Sequence, residues 1–110
     1  MKNNGFPRAP QSLSRTAKAW WNRLQAEYAL DDEAAQFLLE QALTCFDRAK
    51  AAREVIEVEG MSVKDRFGQT RPHPLLAAER DAKIGMLQYF KSLCLDIEPL
   101  RDGPGRPGGR

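Results

Sequence analysis

The chain has 110 residues, 42% apolar and 29% charged, with a net charge of +2; this suits one soluble globular domain and leaves little room for a second core. No run approaches the roughly 20 apolar residues of a membrane-spanning helix, and residues 1–8 lack the apolar centre of a signal peptide, so a cytoplasmic protein without membrane contact is expected. The charge is uneven: residues 1–30 set five bases against Glu27, residues 31–60 set eight acids against three bases, and residues 61–110 set nine bases against six acids. Such a division lets one surface meet phosphate and another meet protein.

Residues 1–12 are polar and contain Gly5, Pro7 and Pro10, which predicts a flexible basic arm. Ser12 or Ser14 then caps a first helix. Leu13, Ala17, Trp20, Leu24 and Tyr28 recur at spacings of three and four, the pattern of an amphipathic helix. Trp20 falls on this core stripe and Trp21 at its edge, while Arg15, Lys18, Asn22 and Gln25 fall opposite. Asp31 is the expected cap of helix two, because the acidic run Asp31-Asp32-Glu33 complements a helix N-terminus.

Helix two runs without Gly or Pro to Glu59, and Gly60 is its stop. About 28 residues make a rod of roughly 42 Å. Its apolar face is wide: Ala35, Leu39, Ala42, Phe46 and Ala49 form one stripe, and Leu38, Cys45, Ala52 and Ile56 a second beside it. Together they exceed the face that one core requires. Glu33, Glu40, Asp47 and Glu54 lie opposite as a solvated side. Met61 to Lys64 and Gln69 to Arg71 flank Asp65-Arg66-Phe67-Gly68, which predicts a short β-hairpin with Gly68 at a positive φ.

Pro74 opens helix three at its first position, with His73 in a capping role. Leu76, Arg80, Lys83, Leu87, Phe90 and Cys94 share one segment of its wheel, with Ile84 and Leu93 alongside, and the helix is expected to end near Leu95. Three prolines and four glycines follow, so residues 96–110 are expected to be a flexible tail. The fold predicted is mainly α, three helices with one long central helix and a hairpin between helices two and three. The domain spans residues 13–95.

The chemistry of catalysis is sparse. The Gly-rich stretch Gly103-Pro104-Gly105-Arg106-Pro107-Gly108-Gly109 has no Lys-Ser/Thr after it and cannot act as a nucleotide-binding loop. His73 stands alone, short of what imidazole triads and zinc sites need. Cys45 and Cys94, 49 residues apart in apolar helical patterns, read as reduced thiols. A non-enzymatic protein without cofactor or metal is expected.

Four segments, in order, resemble the small terminase subunits of tailed phages and prophages, of the short helical type. They are Ala17-Lys18-Ala19-Trp20-Trp21-Asn22-Arg23-Leu24; Leu30-Asp31-Asp32 through Ala49-Lys50-Ala51-Ala52-Arg53; Glu59-Gly60, a hairpin and His73-Pro74-Leu75-Leu76-Ala77-Ala78-Glu79-Arg80-Asp81-Ala82; and Leu93-Cys94-Leu95-Asp96-Ile97-Glu98-Pro99 with Arg101 and Gly105-Arg106-Pro107. Cys94 departs from the family pattern, which often has glycine there. The resemblance implies a homo-oligomeric ring that recognises double-stranded viral DNA and presents it to the large terminase subunit, which carries the ATPase and nuclease activities.

Under that resemblance, Arg15, Lys18 and Arg23, with Lys2 and Arg8 of the arm, are the expected phosphate contacts, and Asn22 adds a hydrogen bond. Trp21, Leu38, Cys45, Ala52 and Ile56 are the expected subunit interface. Arg101, Arg106 and Arg110 of the tail are expected to dock on the large subunit or to touch DNA. Two other classes fit parts of the pattern: a small dimeric DNA-binding regulator, and a helical protein-binding adaptor. Helix two is too long and too acidic for a recognition helix lying on phosphate.

Overall fold

The computed structural model describes residues 6–93, in the order α1 (Arg15–Tyr28), α2 (Glu33–Glu59), β1 (Ser62–Lys64), β2 (Thr70–Pro72) and α3 (Pro74–Ser92). This is the mainly α architecture expected, with the long helix in the centre. The two strands pair antiparallel, Val63 opposite Arg71. α2 and α3 run antiparallel along a shared seam, and α1 lies across the N-terminal half of α2.

Each helix start has a local cause. Ser14, extended at ψ 168°, accepts the Ala17 N–H. α2 begins one residue later than anticipated: Asp32, not Asp31, accepts the Ala35 N–H at 2.7 Å, and the Asp31 carbonyl accepts from the Gln36 side chain instead. α1 stops where Ala29 turns left-handed at φ 51° and returns its N–H to Gln25. α2 stops at Gly60, at φ 93°, a conformation that glycine adopts without a Cβ penalty.

α1 docks through a rotated stripe. Leu13, Ala17, Trp21 and Gln25, four apart, are the buried positions, and they close a core with Leu39 and Leu43 of α2. Trp21 is 2% exposed and Trp20 41%, the reverse of the pattern expected from spacing alone. The cause lies outside the helix: the Trp21 indole N–H donates to the Pro7 carbonyl at 2.9 Å. A buried indole requires such a partner, and among the described residues only Trp21 has one. Residues 6–12, expected as part of a mobile arm, lie along this core with Phe6, Pro7, Ala9 and Pro10 half-buried.

A carboxylate of α2 completes the docking. Asp47, expected on the solvated side, accepts the Ser14 N–H at 2.9 Å and the Ser14 hydroxyl at 2.6 Å. Ser14 in turn caps α1, so negative charge sits where the helix dipole is positive. Asp47→Ala should cost about 1–2 kcal/mol, as charge-assisted caps do. Urea denaturation would measure this, and Ser14→Ala in the same background should add little.

α3 is also rotated from expectation. Leu75, Leu76, Glu79, Ala82, Met86, Tyr89, Phe90 and Leu93 face inward, whereas Ile84 and Leu87 are about half exposed. The register is set by charge and by a close approach. Glu79, 5% exposed, takes a bidentate pair from Arg53 of α2, at 3.0 Å to Nε and 2.7 Å to Nη2, and a second cation from Lys83 at 3.3 Å. Nearby, a Cβ on Gly85 would lie 3.4 Å from Cys45 Sγ, so the bare backbone lets the two helices meet there.

The Arg53 hydrogen bond holds the Glu79 carboxyl below its ordinary value, against the opposing effect of burial. A depressed folded pKa contributes stability that is full above the unfolded value near 4.5 and is lost as pH falls through the folded one. Asp65, depressed first by Arg71 and then by the Gln69 N–H, acts in the same sense. The melting temperature should therefore fall on acidification below about pH 4.5, and thermal melts by circular dichroism should show a shallower acid limb in Glu79→Gln.

His73 locks the hairpin onto the helices. Its Nδ1 accepts the Leu75 N–H at 3.0 Å, its Nε2 meets Glu59 at 2.8 Å, and its backbone N–H donates to the Met61 carbonyl. The ring is buried, and it fills the capping role expected from the sequence.

Candidate nucleic-acid interface

Docking α1 through Leu13, Ala17 and Trp21 fixes what its other side offers. Arg15, Asn22 and Arg23 are exposed and Lys18 is half-buried. Arg15, Lys18 and Asn22 follow one another at three and four residues, and with Arg23 they span roughly 12 Å of helix at 1.5 Å per residue. Arg8, in the segment that crosses Trp21, is exposed as well. The structure thus brings Arg15, Lys18, Asn22 and Arg23 onto one helix surface.

These cations differ from four of those on α2 and α3, though Arg48 and Lys91 are exposed as well. Arg53 and Lys83 share Glu79, Lys50 pairs with Glu54, and Arg80 with Asp81. Among the described residues, Arg8, Arg15, Lys18 and Arg23 have no carboxylate within ion-pair distance. An unpaired guanidinium or ammonium keeps its full field for an outside anion. Arg23 instead lies over the ring of Trp20, 4.9 Å from its centroid, which holds the charge against an exposed aromatic face.

Beside this pair the three helices leave a notch of about 260 Å³, lined by Trp20, Leu24, Leu43, Phe46, Met86 and Phe90. Its walls carry no acid, base or nucleophile. No group of three or more His, Cys, Asp or Glu is placed to hold a metal among the described residues, and no helix there is long and apolar enough to cross a membrane.

The expected subunit interface is not an open face of this fold. Trp21 is in the α1–α2 core, and Ala52 and Ile56 are buried in the chain's own packing. Cys45 is directed at Gly85 of α3, and Leu38 is half-buried. Much of the apolar width of α2 is covered by two partners within one chain, α1 on one side and α3 on the other. What α2 and α3 leave exposed is another set, Phe37, Val55, Val58, Ile84 and Leu87. Phe37 and Val55 stand 18 residues apart, five whole turns of one helix line, a spacing that could have been found in the sequence. Lys2, Cys94, Arg101, Arg106 and Arg110 lie outside the described residues.

Comparison with known proteins adds one match. Residues 17–99 match the family described as phage terminase, small subunit. No curated protein and no solved structure matches the chain. The matched span runs from the buried Ala17 of α1 past the end of α3, and so takes in nearly the whole docking surface, the hairpin and the charged seam. By that match over most of its length, this chain belongs to the phage terminase small-subunit family, and its role lies in phage DNA packaging.

Proposed function

We propose that this protein is the DNA-recognising subunit of a packaging machine, a non-catalytic adaptor that assembles into a ring, binds double-stranded viral DNA and delivers it to the large terminase subunit in the host cytoplasm. The family match carries this reading. The unpaired cations of α1 support its DNA-binding part: Arg15, Lys18 and Arg23, with Arg8 and Lys2, neutralise phosphates and release counterions, and Asn22 donates a hydrogen bond. Among the described residues no element is shaped to read bases, so recognition by one subunit is weak. Repetition around a ring converts weak contacts into a firm, salt-sensitive grip.

For self-association the exposed apolar residues Phe37, Val55, Ile84 and Leu87 are better placed than the interface expected from the sequence. A 110-residue chain with large side chains left on two helices gains stability by covering them with a second copy. The tail arginines Arg101, Arg106 and Arg110 are assigned to the large subunit.

Light scattering during size exclusion tests the assembly. A particle many times the 12.4 kDa chain is expected, and Phe37→Asp with Leu87→Asp should reduce it to smaller species. A monomer or dimer at all concentrations would replace the ring with the dimeric regulator or the protein-binding adaptor.

A further inference from the structure

The tip of the β1–β2 hairpin is built more firmly than a loop connecting two helices requires. Asp65 organises it alone. Its Oδ1 accepts the N–H of Phe67 at 2.8 Å and of Gln69 at 3.0 Å, and its Oδ2 accepts from Arg71 Nε at 2.8 Å. Its carbonyl accepts the Gly68 N–H, and its own N–H donates to Gln69. Gly68 supplies the left-handed turn at φ 79°. At the other end His73 clamps β2 to α2 and α3.

What this frame presents is Phe67, 76% exposed, with the Arg66 guanidinium 5.5 Å from its ring centroid. Lys64 and Arg66 are exposed and have no ion-pair partner among the described residues. The one carboxylate of the tip is occupied by Arg71 and the turn amides. The surface around the ring is therefore cationic, and its sequence neighbours Lys64, Arg66, Gln69 and Thr70 are polar, so the charge of the tip is complementary to a polyanion. A rigid aromatic flanked by available cations matches a polyanion that carries flat apolar surfaces.

We propose that the hairpin tip is a second contact for duplex DNA, in which Phe67 enters a groove as an apolar wedge and Lys64 and Arg66 sit on the flanking phosphates. Wedges of this kind work by unstacking a base step while cations hold the backbone. The braced turn suits it, since a loose loop would lose ordering entropy on binding. This contact rests on the DNA-binding reading above but uses none of the α1 residues.

The test uses the full chain and a 30-base-pair duplex, with fluorescence anisotropy across about 0.05–0.2 M salt. Phe67→Ala should weaken binding by about 5- to 30-fold, the loss of one aromatic–base contact, with little change in salt slope. Phe67→Trp should restore it. Lys64→Ala with Arg66→Ala should flatten the slope by about 2 for each subunit engaged. All of these side chains are exposed, so thermal melts should stay at the wild-type value. If wild type binds and every tip variant matches it in affinity and slope, the tip contact is overturned and the α1 contact stands. If wild type does not bind the duplex at any salt, both are overturned.

Discussion

Trp21→Ala is expected to cost about 3–5 kcal/mol, the usual range for removing a buried aromatic, and to detach α1 from the rest of the molecule. The side chain is the largest in the core, packed among Leu13, Ala17, Leu39 and Leu43. It also holds the preceding segment through Pro7. The loss is a large share of the roughly 5–15 kcal/mol by which a domain is stable, and shifts the melting temperature by more than about 10 °C. The neighbouring Trp20→Ala should cost under about 1 kcal/mol, because that ring is already partly in water. Urea denaturation of the two variants side by side checks the contrast. Equal losses would mean that α1 docks through both rings. The far-ultraviolet signal of Trp21→Ala should fall by no more than the share of α1, since α2 and α3 keep their own seam.

The second large effect concerns DNA. Replacing Arg15, Lys18 and Arg23 together by alanine should lower duplex affinity by at least about a hundredfold at 0.1 M salt, and flatten the dependence of log K on log salt by about 2.7 per engaged subunit. The size follows from three phosphate contacts at about 0.9 each. Because none of the three has a carboxylate partner among the described residues, their removal leaves no stranded acid. Alanine is also a strong helix former, so the fold should survive. Anisotropy titrations at several salt concentrations read both quantities. An unchanged slope would move the primary DNA site away from α1.

The elements were legible in the sequence because their signals are local. Ser14, Gly60, Gly68 and Pro74 each act within a few residues, through a cap, a positive φ or a first-turn position. The faces were less legible. A helical wheel puts Trp20 on the core stripe and Trp21 at its edge, and the structure reverses them, with Trp21 held by the Pro7 carbonyl, 14 residues earlier. Likewise Glu79 reads as a surface acid until Arg53, 26 residues away, is placed opposite it. Asp47 reads as solvated until α1 folds back onto it.

Which apolar residues of α2 face a neighbouring molecule was hard to read for a related reason. Periodicity shows how much of α2 is apolar, but it cannot apportion that surface between a neighbouring helix and a neighbouring molecule. Ala52 and Ile56 went to the chain's own core. Arg15 and Arg23 are exposed as the wheel places them, whereas Lys18 is half-buried and Gln25, read on the same polar side, is buried. The tip of the hairpin was legible as a turn only, since its cationic character depends on which groups occupy Asp65.

The link between Ser14 and Asp47 also bears on how the protein opens. α1 is attached by one small core, one carboxylate and the Pro7 carbonyl, whereas α2 and α3 share a continuous seam. α1 and the segment before it thus form a cooperative unit of their own, one that can unfold and refold while the remaining helices stay native. Its amide protons would exchange through that partial opening rather than through global unfolding. An anion bound to Arg15 and Lys18 would slow this exchange selectively, because ligand binding stabilises only the species that present the site.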